Sequence, residues 1–137
     1  MQQHFFATAA RGLEPLLVNE LVDLGASDVR EARAGVFFSG TLPVAYRACL
    51  WSRLASRILF PLSEFTASSP EQLYTGVRAI DWSEHLTAEG SLAIDCSVSQ
   101  SQITHSHYAA LKVKDAIVDQ FRERSGFRPS IDLETPD

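Results

Sequence analysis

Apolar residues in the first 65 positions recur with two different periods, and each period indicates one type of secondary structure. FFATA, at 5–9, is a short apolar run that predicts a strand, whereas the leucines of GLEPLLVNELVDLGA, at 12–26, repeat at helical spacing. The predicted elements are, in order, strand 5–9, helix 12–26, strands 27–33 and 35–39, helix 42–54 and a strand within 56–65. This order is typical of a ferredoxin-like βαββαβ unit of the α+β class that ends near residue 65.

A second unit begins at SSPEQ. Ser69 is followed three positions later by Gln72, and Pro70 falls at the first helical position, which is the pattern of a capping box. SLAIDCSV, at 91–98, alternates apolar and polar residues as a strand does, and SIDLE, at 130–134, predicts another strand. Two strands alone form a marginal sheet. We therefore expect this partial α/β unit to be completed by strands from outside these 137 residues.

The longest helical pattern is HYAALKVKDAIVDQFRER, at 107–124, and SGFRP follows it as a stop. Turning about 100° per residue brings its apolar side chains onto one stripe. The predicted buried seam consists of Ala110, Val113, Ile117 and Phe121, with Leu111 and Val118 on its flank. The rest of the helix is expected to face solvent.

Basic residues concentrate on this helix, although the chain as a whole has a formal charge of -5. Two interpretations are open: the cations are solvated and balanced by acids of the same helix, or they form a surface for phosphates, which respond to local rather than net charge. The cations are Lys112, Lys114, Arg122 and Arg124, and the acids are Asp115, Asp119 and Glu123. Lys114 falls about 40° from Ala110, so it must lie along apolar surface to reach water or point at a negative group.

Two arginines beside Trp51 are a second candidate for nucleic-acid binding. Arg53 and Arg57 could bind phosphate while the indole stacks on a base. The alternative is that Trp51 belongs to the core and the arginines only decorate a helix end. Arg11–Gly12, ahead of the first helix, could hold an anion, although such a turn more often only redirects the chain.

His105 and His107 form an HxH pattern, which raises the question of a metal site. Residues two apart on a helix do not share a face, and no thiol or carboxylate stands at a supporting spacing. We therefore predict no metal ligand here and expect Thr104 or Ser106 to cap the helix. Phosphate-binding glycine loops, nucleophile elbows and zinc-protease motifs do not occur, so we expect no catalytic residue in these 137 positions.

Membrane and secretion signals do not occur in the sequence either. No apolar run approaches the roughly 18 residues that a membrane helix needs. The N-terminal MQQHFFATAA has no basic region followed by an apolar stretch. Cys49 and Cys96 stand alone, as reduced thiols do. We expect a cytoplasmic protein with no membrane partner.

Four segments carry a resemblance to a known family. ARGLEPLLVNELVDLGA, LWSRLASRILFPL, LYTGVRAIDW and YAALKVKDAIVDQF, beginning at residues 10, 50, 73 and 108, occur in this order over nearly the whole chain. They are similar to the N-terminal part of the bacterial ribosomal RNA large subunit methyltransferase K/L family. The resemblance implies a ferredoxin-like domain at 1–65 and a C-terminally truncated THUMP domain, an RNA-binding module, at 66–137.

The resemblance also implies what these residues contact and what they leave to the rest of the protein. In the family, a downstream domain transfers a methyl group from S-adenosylmethionine to the N2 amine of a guanine in large-subunit ribosomal RNA. Fused members also make N7-methylguanine. The glycine-rich cofactor loop and the NPPY motif of that domain do not occur here, so we expect no cofactor in this fragment. THUMP domains tend to place a basic residue within a strand-to-helix segment of this kind. Lys112 occupies the matching position and Lys114 lies next to it, so the resemblance favours contact of both with ribosomal RNA.

Three alternatives to this function are open. The first is the THUMP module of a transfer RNA methyltransferase. The second is an acylphosphatase-like enzyme with Arg11 in the first strand-to-helix loop, although Asn19, the single asparagine, lies inside the first helix. The third is a protein-interaction or small-ligand module that forms a dimer through unpaired strand edges.

Overall fold

The computed structural model describes every residue from Met1 to Asp137 and divides the chain into two compact units. Unit 1 comprises Met1–Leu62 and unit 2 comprises Ser63–Asp137. The first unit thus ends at Leu62, three residues before the boundary near residue 65 that the order of elements predicts. Each unit has its own hydrophobic core.

Unit 1 has the topology of a ferredoxin-like fold. Its elements are β1 (Gln3–Thr8), α1 (Glu14–Asp23), β2 (Ser27–Ala32), β3 (Gly35–Gly40), α2 (Leu42–Trp51) and β4 (Arg57–Leu59). The strands form one antiparallel sheet in the order β2-β3-β1-β4. The predicted βαββαβ arrangement and the α+β class are confirmed.

One face of this sheet is buried because apolar residues alternate along its two central strands. Phe5 pairs with Phe38 and Ala7 with Val36 across β1 and β3, and all four are buried. Both helices cover this face, and their buried residues are Leu17 and Leu21 from α1 with Ala45 and Ala48 from α2. The opposite face of the sheet carries no helix of this unit.

Unit 2 contains two helices and one pair of short strands. Its elements are α3 (Pro70–Arg78), a 3-10 turn (Trp82–Glu84), β5 (Ser91–Leu92), α4 (Ser106–Ser125) and β6 (Ser130–Ile131). The two strands pair in parallel. Ser69 Oγ accepts a hydrogen bond from the Gln72 amide at 3.2 Å, so the predicted N-terminus of α3 is confirmed. Gly126, in the left-handed conformation with a φ of 77°, ends α4 as predicted.

Several predicted bounds are wrong. The helix predicted at 42–54 ends at Trp51, and the strand predicted within 56–65 is paired only at Arg57–Leu59. The strand predicted at 91–98 is paired only at Ser91–Leu92. Side chains at 92–98 still alternate between shielded and exposed, so the periodicity is present without a partner strand to complete a ladder. None of the helices combines the length and apolar character needed to span a membrane.

Candidate nucleic-acid interface

The orientation of α4 decides which of its cations face outward. Its buried residues are Ala109, Ala116, Ile117, Val118, Gln120 and Phe121, whereas Ala110 is only half-buried. The centre of the buried face is therefore rotated by about 35° from that of the predicted seam, towards the side of Ala109 and Ala116. Lys112 lies about 110° from the centre of this buried face, so it flanks the core and is partly exposed.

A buried glutamine fixes α4 against the segment that follows α3. The Gln120 side chain is only 7% exposed. Its Nε2 donates to the carbonyls of Arg78 at 2.8 Å and Ile80 at 2.7 Å, and its Oε1 accepts from the Trp82 amide at 2.9 Å. Hydrophobic periodicity does not single out Gln120 as a structural residue. The available signal was a polar residue that falls within the apolar stripe of the helix.

The acids on the outer face of α4 are bound mainly by α3. Tyr74 donates its hydroxyl hydrogen to Asp119 Oδ2 at 2.6 Å, and this bond, more than burial, raises the pKa of the phenol above its usual 10.0. Arg78 forms an ion pair with Glu123 and donates to the Tyr74 hydroxyl at 2.8 Å. Asp119 and Glu123 therefore do not balance the cations of their own helix.

Lys114 is the one cation of α4 that an acid of the same helix neutralises. Its Nζ lies 3.0 Å from Asp115 Oδ1. The side chain borders a mostly apolar groove of 250 Å³ formed with Ile94, Leu111, Ile131 and Leu133, among others. Lys114 therefore combines both arrangements that its position allows, since it runs along apolar surface and also meets a carboxylate.

Lys112 and Arg122 have no carboxylate partner. The Lys112 ammonium lies 5.8 Å from the centroid of the Tyr108 ring, one helical turn earlier. Tyr108 is 47% exposed, and Arg122 is exposed as well. A cation next to an accessible aromatic ring is suited to bind phosphate and to stack on a base at the same point.

Arg124 has a structural partner instead. Its Nη1 lies 2.7 Å from Oδ1 of Asp81, which caps the 3-10 turn by accepting from the Ser83 amide at 3.1 Å. The Ser83 hydroxyl and then Arg124 lower the pKa of the Asp81 carboxyl. Arg124 therefore stabilises the turn, which reduces its availability to a phosphate.

The N-terminus of α4 adds positive potential near Tyr108. His105 is the residue that precedes the helix, and no side chain caps the first-turn amides. The prediction that Thr104 or Ser106 caps this helix is therefore wrong. No acidic residue lies in the first turn either. The positive end of the helix dipole is thus uncompensated where Tyr108 is exposed, one turn before Lys112.

The remaining predicted site residues, Arg53 and Arg57, lie in unit 1. Glu20 of α1 accepts from the Arg53 amide at 3.2 Å through each carboxylate oxygen and also from the Ser52 hydroxyl, so this carboxylate holds the turn after α2. Arg57 lies on β4, and neither arginine forms an ion pair. Trp51 is 64% exposed, so its interpretation as a core residue is wrong.

The Arg11–Gly12 turn is already occupied by an anion of the chain itself. The Gly12 amide donates to Glu14 Oε1 at 2.5 Å, and the Ala34 amide donates to Oε2 at 3.4 Å. Glu14's own backbone hydrogen bond, together with those from Gly12 and Ala34 and despite partial desolvation, lowers the pKa of this carboxyl. The turn therefore offers no free amide pair to an external phosphate.

Models of two protein families match the chain, and their order agrees with the two units. Residues 4–59 match the RlmL ferredoxin-like domain, and residues 67–137 match the THUMP domain. The second match spans about half of the chain and contains α3 and α4.

Curated relatives are similar over the whole chain. The ribosomal RNA large subunit methyltransferase K/L of Syntrophotalea carbinolica is 61% identical over 97% of the chain, and that of Methylococcus capsulatus is 58% identical over 100%. The chain spans only 19% of the length of each of these proteins.

Solved structures share the fold. A predicted N6-adenine-specific DNA methylase from Listeria monocytogenes is 30% identical and superposes with a TM-score of 0.83, covering 95% of this chain and 35% of that one. SMU.472 complexed with SAH is 29% identical with a TM-score of 0.81, over 98% of this chain and 35% of that one. TrmN from Thermus thermophilus, at 20% identity and a TM-score of 0.65, shows the fold alone.

Proposed function

Because the chain belongs to the N-terminal region of the ribosomal RNA large subunit methyltransferase K/L family, we propose that it binds large-subunit ribosomal RNA and positions it for a methyltransferase domain. The observation that carries this proposal is the outer face of α4 within the region that matches the THUMP domain. There, Tyr74 of α3 hydrogen-bonds Asp119 and Arg78 pairs with Glu123, so that Arg122 and the partly exposed Lys112 have no carboxylate partner and the Tyr108 ring is accessible.

Each accessible residue of α4 has a defined role in this proposal. Lys112 and Arg122 contact phosphates, and the two positions lie about 15 Å apart along the helix axis. Tyr108 stacks on an unpaired base beside Lys112. Contacts of this type fix the register and orientation of the nucleic acid and carry little sequence information. The specificity for one nucleotide then falls to the domain that performs the chemistry.

We further propose that the full-length protein is a methyltransferase that transfers a methyl group from S-adenosylmethionine to the N2 amine of a guanine in ribosomal RNA. Fused members of the family also methylate N7 of guanine. A base must leave its stack to be methylated, which explains the benefit of a separate RNA-binding module. Nucleoside mass spectrometry of ribosomal RNA modified by the full-length protein tests this proposal.

A charge-matched pair of double variants tests the RNA interface. Lys112→Gln with Arg122→Gln removes the two cations that lack carboxylate partners, whereas Lys114→Gln with Arg124→Gln removes the two that are ion-paired. We expect the first variant to bind a structured fragment of large-subunit ribosomal RNA about tenfold more weakly and to flatten the plot of log affinity against log salt by about 1.5 units. The second variant should change both quantities less.

Fluorescence anisotropy at several salt concentrations measures both quantities, and circular dichroism confirms that the variants are folded. An equal loss in the two variants would show that only total charge matters, which contradicts the assignment of the site. Undiminished binding in both variants would contradict the proposed interface on α4 altogether.

A further inference from the structure

The ferredoxin-like sheet of unit 1 has one face that no helix of this unit covers. Side chains of directly paired residues in an antiparallel sheet point to the same side. The register therefore places one continuous row on the open face, formed by Arg30 of β2, Phe37 of β3, Phe6 of β1 and Leu59 of β4. Two strand positions away, Thr8 and Arg57 are paired and point to the same side.

Two phenylalanines occupy the centre of this row. Phe6 and Phe37 lie on the two central strands, and their ring centroids are 4.6 Å apart with an angle of 55° between the rings. A Cβ atom on Gly35 would lie 2.3 Å from Cζ of Phe6. Because Gly35 has no side chain, the Phe6 ring can lie directly over β3 and next to Phe37.

Phe37 is the more accessible ring of the aromatic pair, since Phe6 is half-buried. Phe37 is 46% exposed and Leu59 is 43% exposed. Large apolar side chains that cluster on an open face are typical of a binding surface. The same strands bury Phe5 and Phe38 on the other face, so the domain does not need Phe37 for its core.

The charge of the open face is positive. Among the paired strand residues that point to this side, Arg30 and Arg57 are basic and none is acidic. Neither arginine forms an ion pair. Because β2 and β4 are three strand spacings apart, Arg30 and Arg57 are separated by about 14 Å across the strands and by two residues along them, on either side of the aromatic pair.

We propose that this open sheet face is a binding platform for unpaired RNA nucleotides, on which bases stack against Phe37 and Phe6 while Arg30 and Arg57 contact the flanking phosphates. Aromatic rings offer planar surfaces to bases of any sequence, and arginines on both sides match the spacing of a backbone that crosses the strands. A duplex hides its bases between its strands and cannot use the rings in this way. This surface extends the proposed function to a second site and uses no residue of α4.

Binding of an unstructured oligonucleotide to the 137-residue chain tests the platform. The probe is a fluorescein-labelled uridine octamer, with a copy containing 2-aminopurine to report stacking. We expect Phe37→Ala to weaken binding about tenfold and to remove the change in 2-aminopurine fluorescence. Phe37→Tyr should restore both, because it retains the ring. Arg57→Gln should flatten the salt dependence by about 0.7 units, the contribution of one phosphate contact on a single strand.

Tyr46→Ala is the matched control, since it removes an exposed aromatic side chain from α2 instead of the sheet. The Lys112→Gln and Arg122→Gln double variant should retain octamer binding. Equal losses in Phe37→Ala and Tyr46→Ala would overturn the platform. A wild-type chain that binds structured ribosomal RNA but not the octamer would overturn it as well, while leaving the α4 interface intact. A dimer in sedimentation equilibrium that Phe37→Ala dissociates would assign the face to a second copy of the chain.

Discussion

At the scale of single residues, hydrogen-bond partners decide which charges are available to a ligand. Lys112 and Lys114 are two positions apart on one helix, yet Asp115 neutralises only Lys114. Asp119 and Glu123 stand close in sequence to Arg122, but residues of α3 bind both acids. The accessible charge of α4 therefore depends on Tyr74 and Arg78, which contribute no surface of their own to the proposed interface.

Among the polar side chains of unit 2, we expect Gln120 to contribute most to the free energy of unfolding. Replacing it with leucine leaves the carbonyls of Arg78 and Ile80 and the amide of Trp82 without their partner. We expect Gln120→Leu to lower the free energy of unfolding by about 2 kcal/mol, since shielded polar groups without partners are unfavourable. Urea denaturation measures this change.

Gln102→Leu is the control for this prediction. The side chain of Gln102 is exposed and its substitution introduces the same leucine. A loss of stability in Gln120→Leu no larger than in the control would show that the three backbone groups find other partners.

At the scale of elements, side chains hold the helices at their ends. Ser69 caps α3, Gly126 ends α4, and Glu20 of α1 binds the turn that follows α2. The last of these connects two helices that both cover the same face of the sheet. Partial burial alone would raise the pKa of Glu20, but the Ser52 hydroxyl and the amides of Arg53 and Leu54 bring it below its usual 4.5.

The lowered pKa of Glu20 predicts a pH-dependent contribution to stability. A carboxyl with a lower pKa in the folded chain than in the unfolded chain stabilises the fold above the unfolded pKa, and this contribution disappears as the pH falls through the folded pKa. Glu20→Gln should therefore lower the free energy of unfolding at pH 7 by about 1 kcal/mol, which also lowers the thermal midpoint. In acid, below the folded pKa of Glu20, the substitution should have little effect.

Thermal unfolding followed by circular dichroism across this pH range tests the prediction. Glu71→Gln is a suitable control, since it removes an acid from the exposed first turn of α3. The expectation would be contradicted by a difference from wild type that is constant with pH.

At the scale of the whole molecule, each unit carries its own core and its own candidate surface. The sheet of unit 1 presents Phe37 with two arginines, and α4 of unit 2 presents Lys112 with Tyr108. Both candidate surfaces carry basic residues, although the formal charge of the whole chain is -5. Local arrangement, and not net charge, thus permits an acidic protein to bind a polyanion.

The separate cores predict that unit 1 folds without unit 2. The core cluster of unit 1 consists only of residues within the first 62 positions, and the four-stranded sheet is complete. We expect the fragment Met1–Leu62 to unfold cooperatively on heating, although a domain of this size has modest stability. Circular dichroism and amide dispersion in NMR spectra measure this. Broad, non-cooperative melting would show that unit 1 requires the rest of the chain.

The sequence predicted elements more reliably than their ends. Local periodicity identifies the helices and strands of unit 1, and the glycine at 126 identifies the end of α4. The prediction of a strand at 91–98 was wrong beyond Leu92. A strand also requires a hydrogen-bonded neighbour, and β6 provides one for only two residues. The rotation of α4 was wrong because small residues such as Ala109 and Ala116 pack closely against neighbours although their hydrophobicity is modest.

The sequence by itself determined the order of elements, the ferredoxin-like topology and the concentration of cations on α4, since all three depend on residues close together along the chain. Only the tertiary structure decided which cations remain accessible, because Asp119, Glu123 and Arg124 find their partners about 40 or more residues away. The tertiary structure also decided the open aromatic face of the sheet, since Phe6 and Phe37 meet only when β1 and β3 pair. Electrostatic and stacking interactions act over a few ångströms in space, so they depend on the fold that brings distant residues together.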